Sequence, residues 1–164
     1  MKRILLTYTL AFILLPVYGG EGGSSPAEKK SLLIDYVDPF VGTTNFGTTN
    51  PGAICPNGMM SVVPFNVMGS SENKYDKDAR WWSTPYEHTN CFFTGYAHVN
   101  LSGVGCPELG SLLLMPTTGE LNVDYKEYGS KYKDEQASPG YYSNYLTKYN
   151  VKTEVSATPR TLSL

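Results

Sequence analysis

Side chains do chemistry as paired carboxylates, as an imidazole beside a nucleophile, or as a cluster of metal ligands. In this chain of 164 residues the carboxylates come first; the 15 include Asp35, Asp38, Asp76, Asp78, Glu87 and Glu108, with six more beyond residue 119. None falls within a signature that marks a general acid or base, and a carboxylate without a spatial partner is ordinarily a solvated surface group. The sequence holds no Gly-x-Ser-x-Gly, no His-Glu-x-x-His and no phosphate-binding loop. Cys55, Cys91 and Cys106 are spaced 36 and 15 residues apart, which fits no zinc pattern, and His88 and His98 do not complete one. An odd number of cysteines leaves at least one thiol free or paired outside the chain. No catalytic residue and no metal ligand is read from these spacings.

Aromatic residues say more. Trp81-Trp82 lies in a polar stretch and is followed by Ser83-Thr84-Pro85-Tyr86. Two adjacent indoles beside turn formers do not both belong in a core. One reading puts them on the surface, stacked on the apolar faces of sugar rings; the other packs one Trp inside and leaves its neighbour on the rim. Downstream, HVNLSGVGCPELGS (98–111) places Gly103, Gly105 and Gly110 in a loop that lacks the strand-to-helix context of a nucleotide site. His98 either hydrogen-bonds a ligand hydroxyl or ties down a turn.

The elements that must hold these residues are strands. Gly (16) and Pro (11) make about a sixth of the chain and Tyr contributes 13 residues, a mixture that favours strands and tight turns and argues against disorder. Residues 38–58, DPFVGTTNFGTTNPGAICPNG, hold four Gly and three Pro and read as a long ordered loop. Strands are expected at Met60–Phe65, Phe92–His98 and Ser111–Met115, with alternation again over Glu120–Tyr125. Tyr141–Tyr149 and Val151–Thr158 read as a hairpin around Asn150, with Val151, Thr153, Val155 and Ala157 on one face. The fold class is all-β, an antiparallel β-sandwich.

Lys2 and Arg3 precede an apolar run from Ile4 to Leu15 that ends at Pro16 and small residues, the pattern of a secretory signal peptide rather than a membrane anchor. The expected organisation is a signal peptide over residues 1–20, a linker over 21–31 and a partial N-terminal β-sandwich domain over 32–164. With no cysteine near the exit for a lipid, the product is expected to be secreted or periplasmic. A formal charge of −2, without a basic block outside the extreme N-terminus, excludes nucleic-acid binding through phosphate neutralisation.

The words YVDPFVGT (36–43), NPGA (50–53), PNGM (56–59), GYAHVNLSGVGCPELGSLLLMPTTG (95–119), ASPGYYSNYL (137–146) and VKTEVSAT (151–158) occur in an order that strongly resembles the N-terminal domain of glycoside hydrolase family 92. That family comprises calcium-dependent exo-α-mannosidases, and the resemblance runs from about Asp35 to Arg160. It implies a sandwich packed on an (α/α)-barrel, an inverting acid–base pair, and calcium on the mannose hydroxyls. The catalytic residues and the calcium ligands come from the barrel, which has no counterpart here. Phe46, Gly47, Trp81, Trp82 and Tyr86 resemble positions where the sandwich meets sugar, and His98 is added as a further sugar contact. The implied partners are mannose-containing glycans and the barrel domain.

After VSATPR the family pattern continues into another strand, whereas this sequence closes at Thr161-Leu162-Ser163-Leu164. The chain is therefore read as a truncated fragment, inactive alone, with the Val151–Thr158 strand near an open edge and a tendency to aggregate. The competing function is a stand-alone carbohydrate-binding or adhesion module without catalysis.

Overall fold

The computed structural model describes residues 32–44, 48–73, 84–99, 110 and 112–164. The expected signal peptide and linker, Phe46, Gly47, Trp81, Trp82 and Cys106 lie outside the described residues. One sheet contains β1 (Ala53–Ile54), β2 (Ser61–Phe65), β4 (Gly95–His98) and β5 (Leu113–Leu114), in the order β1-β2-β4-β5. The other contains β3 (Phe92–Phe93), β6 (Ser130–Ser138), β7 (Tyr141–Leu146), β8 (Val151–Ala157) and β9 (Leu162–Ser163), in the order β3-β6-β7-β8-β9. Every pairing is antiparallel. The all-β sandwich expected from the sequence is the observed architecture.

β2 tolerates Pro64 because β1 reaches only as far as Val62, so the missing N–H faces no ladder on that side. The stretch expected as one strand over Phe92–His98 is two strands in different sheets. Thr94 makes the crossing, with its N–H and Oγ1 both donating to the Phe65 carbonyl at 2.9 and 3.1 Å. The next residue must be glycine: Gly95 has φ 148°, and a Cβ there would lie 2.8 Å from the Leu114 carbonyl oxygen.

The hairpin of β7 and β8 follows its alternation, pairing Tyr142 with Val155 and Leu146 with Val151. Thr153 and Val155 are buried while Lys152, Glu154 and Ser156 are exposed. β8 is flanked by β7 along its length and by β9 at Ser156 and Ala157. Two local expectations change. Residues 120–124 are irregular, with Leu121 and Val123 in solvent, and lead into the single turn of α1 (Tyr125–Tyr128), capped by Asp124 accepting from the Lys126 N–H at 2.9 Å. β6 was not foreseen, because its sequence SKYKDEQAS is mostly polar and only its inward residues carry the signal.

Ala53, Val62, Phe93, Tyr96, Tyr142, Leu146 and Val155 fill the space between the sheets. Val63, Phe65, Val67 and Ala97 form a second cluster, so β2 is buried through both Val62 and Val63. A core this rich in tyrosine must satisfy its hydroxyls. Tyr96 Oη lies 2.6 Å from Thr153 Oγ1 and 3.1 Å from Asn144 Oδ1, all three side chains buried.

Removing that hydroxyl takes one buried hydrogen bond from each of two partners, which keep each other. Tyr96→Phe should cost about 1–3 kcal/mol by urea unfolding. Tyr141→Phe, which breaks only an exposed hydrogen bond to Glu154, should stay within about 0.5 kcal/mol of wild type. Equal effects would show that the core hydroxyl is not a structural group.

Candidate functional site

The site begins at the end of β2, where Asn66 is fully buried. Its N–H donates to the Pro85 carbonyl at 3.0 Å and its Oδ1 accepts from the Glu87 N–H at 2.8 Å. Its Nδ2 donates to the Glu87 carbonyl at 2.9 Å and to Tyr132 Oη at 2.8 Å. The Asn66 carbonyl accepts from Asn90 Nδ2 at 2.8 Å and Asn73 Nδ2 at 3.0 Å. The irregular segment 84–90, which has no ladder of its own, is thereby fixed as firmly as a strand would be.

Opposite it, β6 carries a bulge. Register with β7 shifts by one residue between Lys133 and Gln136, and Asp134 sits at φ 53°. Strict alternation from Tyr132 would send Asp134 inward and Glu135 to solvent. The extra residue instead turns Glu135 in, leaving its side chain only 13% exposed. Tyr86 Oη lies 2.8 and 2.9 Å from its two carboxylate oxygens, Tyr142 donates to Oε1, and His88 Nδ1 stands 3.6 Å from Oε2. His88 Nδ1 is also 2.9 Å from Tyr86 Oη.

The imidazole itself is half exposed at 47% and packs against Phe40, ring centres 5.1 Å apart. Its backbone N–H donates to the Thr43 carbonyl at 2.9 Å, while Thr84 Oγ1 reaches the Thr49 carbonyl at 3.4 Å. Both ends of the 43–49 segment are thus tied to the segment that carries His88. Burial pushes Tyr86 and Tyr142 far above the tyrosine range, so both keep their protons.

Of the residues expected to meet a ligand, Tyr86 is fully buried, its hydroxyl engaged by Glu135 and His88. His98 ends β4, 3.0 Å from the Leu112 carbonyl through its N–H, with Nε2 buried and no hydrogen-bond partner among the described residues. The structure does not bring His98 into the Glu135 cluster. Phe46, Gly47, Trp81 and Trp82 lie outside the described residues. Glu135 and His88 were not singled out by sequence, since a bulge erases the one signal, alternation, that would have turned Glu135 inward. Other described carboxylates have local work: Asp35 and Asp38 accept from the backbone N–H groups of Leu32 and Phe40, and Glu72 pairs with Lys131 on the surface at 2.7 Å.

Burial raises the Glu135 carboxyl above its ordinary 4.5, opposed by hydrogen bonds from Tyr142 and Tyr86 and by the His88 charge. A carboxyl raised on folding binds its proton more tightly in the folded chain. Its stabilising contribution is complete below 4.5 and is lost as pH rises through the folded value. Glu135→Gln removes that titration while leaving an acceptor for Tyr86 and Tyr142. Wild type should therefore lose stability relative to Glu135→Gln as pH rises from about 4 to about 8, read from urea midpoints. A difference that is flat or of opposite slope would contradict this.

Residues 36–162 match the family model of the glycosyl hydrolase family 92 N-terminal domain. Among solved structures, the family 92 α-mannosidase BT3965 from Bacteroides thetaiotaomicron is 33% identical, with a TM-score of 0.66 over 79% of this chain and 17% of its own. The family 92 glycosyl hydrolase ccman5 is 29% identical, with a TM-score of 0.60 over 79% of this chain and 18% of its own. The inverting mannosidase BT2199 from Bacteroides thetaiotaomicron VPI-5482 is 27% identical, with a TM-score of 0.55 over 79% and 17%. No curated protein matches the chain. The chain spans about 17% of the length of the first of these solved relatives. With its family model covering most of the sequence and BT3965 similar to it in sequence and fold, the chain belongs to glycosyl hydrolase family 92, by way of that family's N-terminal domain.

Proposed function

We propose that this chain supplies the N-terminal sandwich of an exported α-mannosidase that removes terminal α-linked mannose from glycans with inversion. The observation that carries the reading is the likeness to BT3965, in sequence and in fold over the same 79% of the chain. BT3965 is also known in complex with mannoimidazole, and BT2199 is described as inverting. Export rests on Lys2, Arg3 and the apolar run Ile4–Leu15.

Inversion needs an acid to protonate the glycosidic oxygen and, roughly 6.5–9.5 Å away, a base to activate water. Glu135 is largely enclosed, but two tyrosyl hydroxyls occupy it from inside the sandwich. We assign the acid and base to residues outside this chain. We place the calcium that the family resemblance implies outside this chain as well; among the described residues Glu135 is held by tyrosines and Glu72 by Lys131. The sandwich would act by presenting loops to the glycan, with Phe46, Gly47, Trp81, Trp82 and His98 as contacts and Tyr86 acting from within through its hydroxyl.

Two outcomes are expected. The purified chain, supplied with calcium, should not hydrolyse an aryl α-mannoside; turnover that is lost on substituting one of its carboxylates would overturn the assignment. In an enzyme bearing this domain, Trp82→Ala should lower kcat/KM on an α-mannose disaccharide about tenfold or more, with little change in Tm. A fall in Tm, with activity lost only in proportion to unfolding, would make Trp82 a packing residue instead.

A further inference from the structure

The proton count in the Glu135 cluster fixes the state of His88. Once ionised, the Glu135 carboxylate has no hydrogen to give, so above its folded titration the hydroxyls of Tyr86 and Tyr142 both donate to it. Tyr86 has then committed its only proton, and its oxygen, 2.9 Å from His88 Nδ1, can only accept. Nδ1 of the neutral ring therefore carries the hydrogen. That leaves Nε2, at the other side of a half-exposed imidazole, as an acceptor.

Several features converge on this nitrogen. Asp134 is held in the left-handed region, a conformation a non-glycine residue adopts at a cost, and the result is to aim Glu135 at the back of the imidazole. The ring is braced by Phe40 on one side, and the His88 N–H anchors Thr43. An imidazole locked in one tautomer beside an aromatic ring suits a neutral sugar, which offers hydroxyl donors and an apolar C–H face together. Neither Phe40 nor His88 brings a formal negative charge to the edge, and the carboxylate behind them is enclosed.

Resting on the mannosidase reading above, we propose that His88 Nε2 accepts a hydrogen bond from a hydroxyl of an α-linked mannose unit lying against Phe40, and that Glu135, when ionised, is a positioning residue that holds the imidazole in its Nδ1–H form through Tyr86. Glu135 makes no contact with the sugar; it acts by denying the ring its other tautomer. Proton transfer is not part of this role, since the hydroxyl stays protonated throughout.

The chain has two histidines, His88 and His98, so long-range proton–nitrogen NMR of the full ¹⁵N-labelled chain resolves them directly. His88 is expected in the Nδ1–H form, with its Nε2 resonance moving saturably on titration with α-mannobiose. Glu135→Gln, which supplies an amide able to donate as well as accept, should give a mixture of tautomers and raise the Kd for the disaccharide about tenfold. His88→Ala should abolish the saturable response, with spectral dispersion confirming that each variant is folded. An Nε2–H form in wild type, an Nε2 that does not move with sugar, or a His88→Ala chain that binds as well as wild type would each overturn the inference. These readouts are independent of turnover. An intact enzyme bearing this domain that cleaves no α-mannoside removes the substrate reading, whereas an active one with an unresponsive Nε2 removes only the role of His88.

Discussion

Everything around the site depends on one buried amide. Asn66 uses its backbone N–H and C=O together with both ends of its side chain, reaching Pro85, Glu87, Asn73, Asn90 and Tyr132. Segment 84–90 is folded against the sandwich without belonging to either sheet, and its Glu87 N–H would be buried without a partner were Asn66 apolar. An aspartate could not replace it, because Nδ2 donates twice; a leucine would fill the space and leave the Glu87 N–H unpaired. The cost of an unmet buried hydrogen bond is what makes this position specific.

The same economy of hydroxyl and amide groups runs through the interior. Tyr96, Asn144 and Thr153 close a polar knot between the sheets, Asn144 Nδ2 approaches Tyr142 Oη at 3.5 Å, and Tyr142 passes its proton-bearing oxygen to Glu135. A carboxylate in a low-dielectric setting is ordinarily held by an arginine or a lysine. Here two phenols do it, with His88 as the nearest basic group and itself half in water. Phenols at hydrogen-bond distance stabilise the anion without bringing a second full charge out of solvent. Their rings also fill core volume that a guanidinium would leave polar.

Strand alternation was readable wherever both faces differ in kind. Val151–Ala157 alternates cleanly and folds as read, and Ser61–Phe65 lies between obvious turn formers. β6 was hidden because its outward residues are Lys131, Lys133, Asp134 and Gln136, whose polarity outweighs the inward Tyr132 and Ala137 in any short window. The crossing at Thr94 was hidden for the opposite reason: Phe92 to His98 is strand-forming throughout, and only the backbone angle of Gly95 separates the two sheets. For the site, composition pointed to aromatic residues and local motifs. The Glu135–His88 pairing joins positions 47 residues apart through a bulge, and long-range geometry of that kind leaves no local periodic trace.

The bulge also bears on how relatives of this chain are compared. Asp134 and Glu135 together face the single residue Asn144, so Asp134 is in effect an insertion inside a strand. A homologue one residue shorter at this point would keep Tyr132, Glu135 and Ala137 on the inner face with a straighter, less twisted β6. An alignment that forbids gaps within strands would then pair the Glu135 of this chain with an outward residue of the other, and the carboxylate would look substituted where it had only been displaced by one place in the count. Structural equivalence across β6 is set by which residues face the sandwich, not by their distance along the chain.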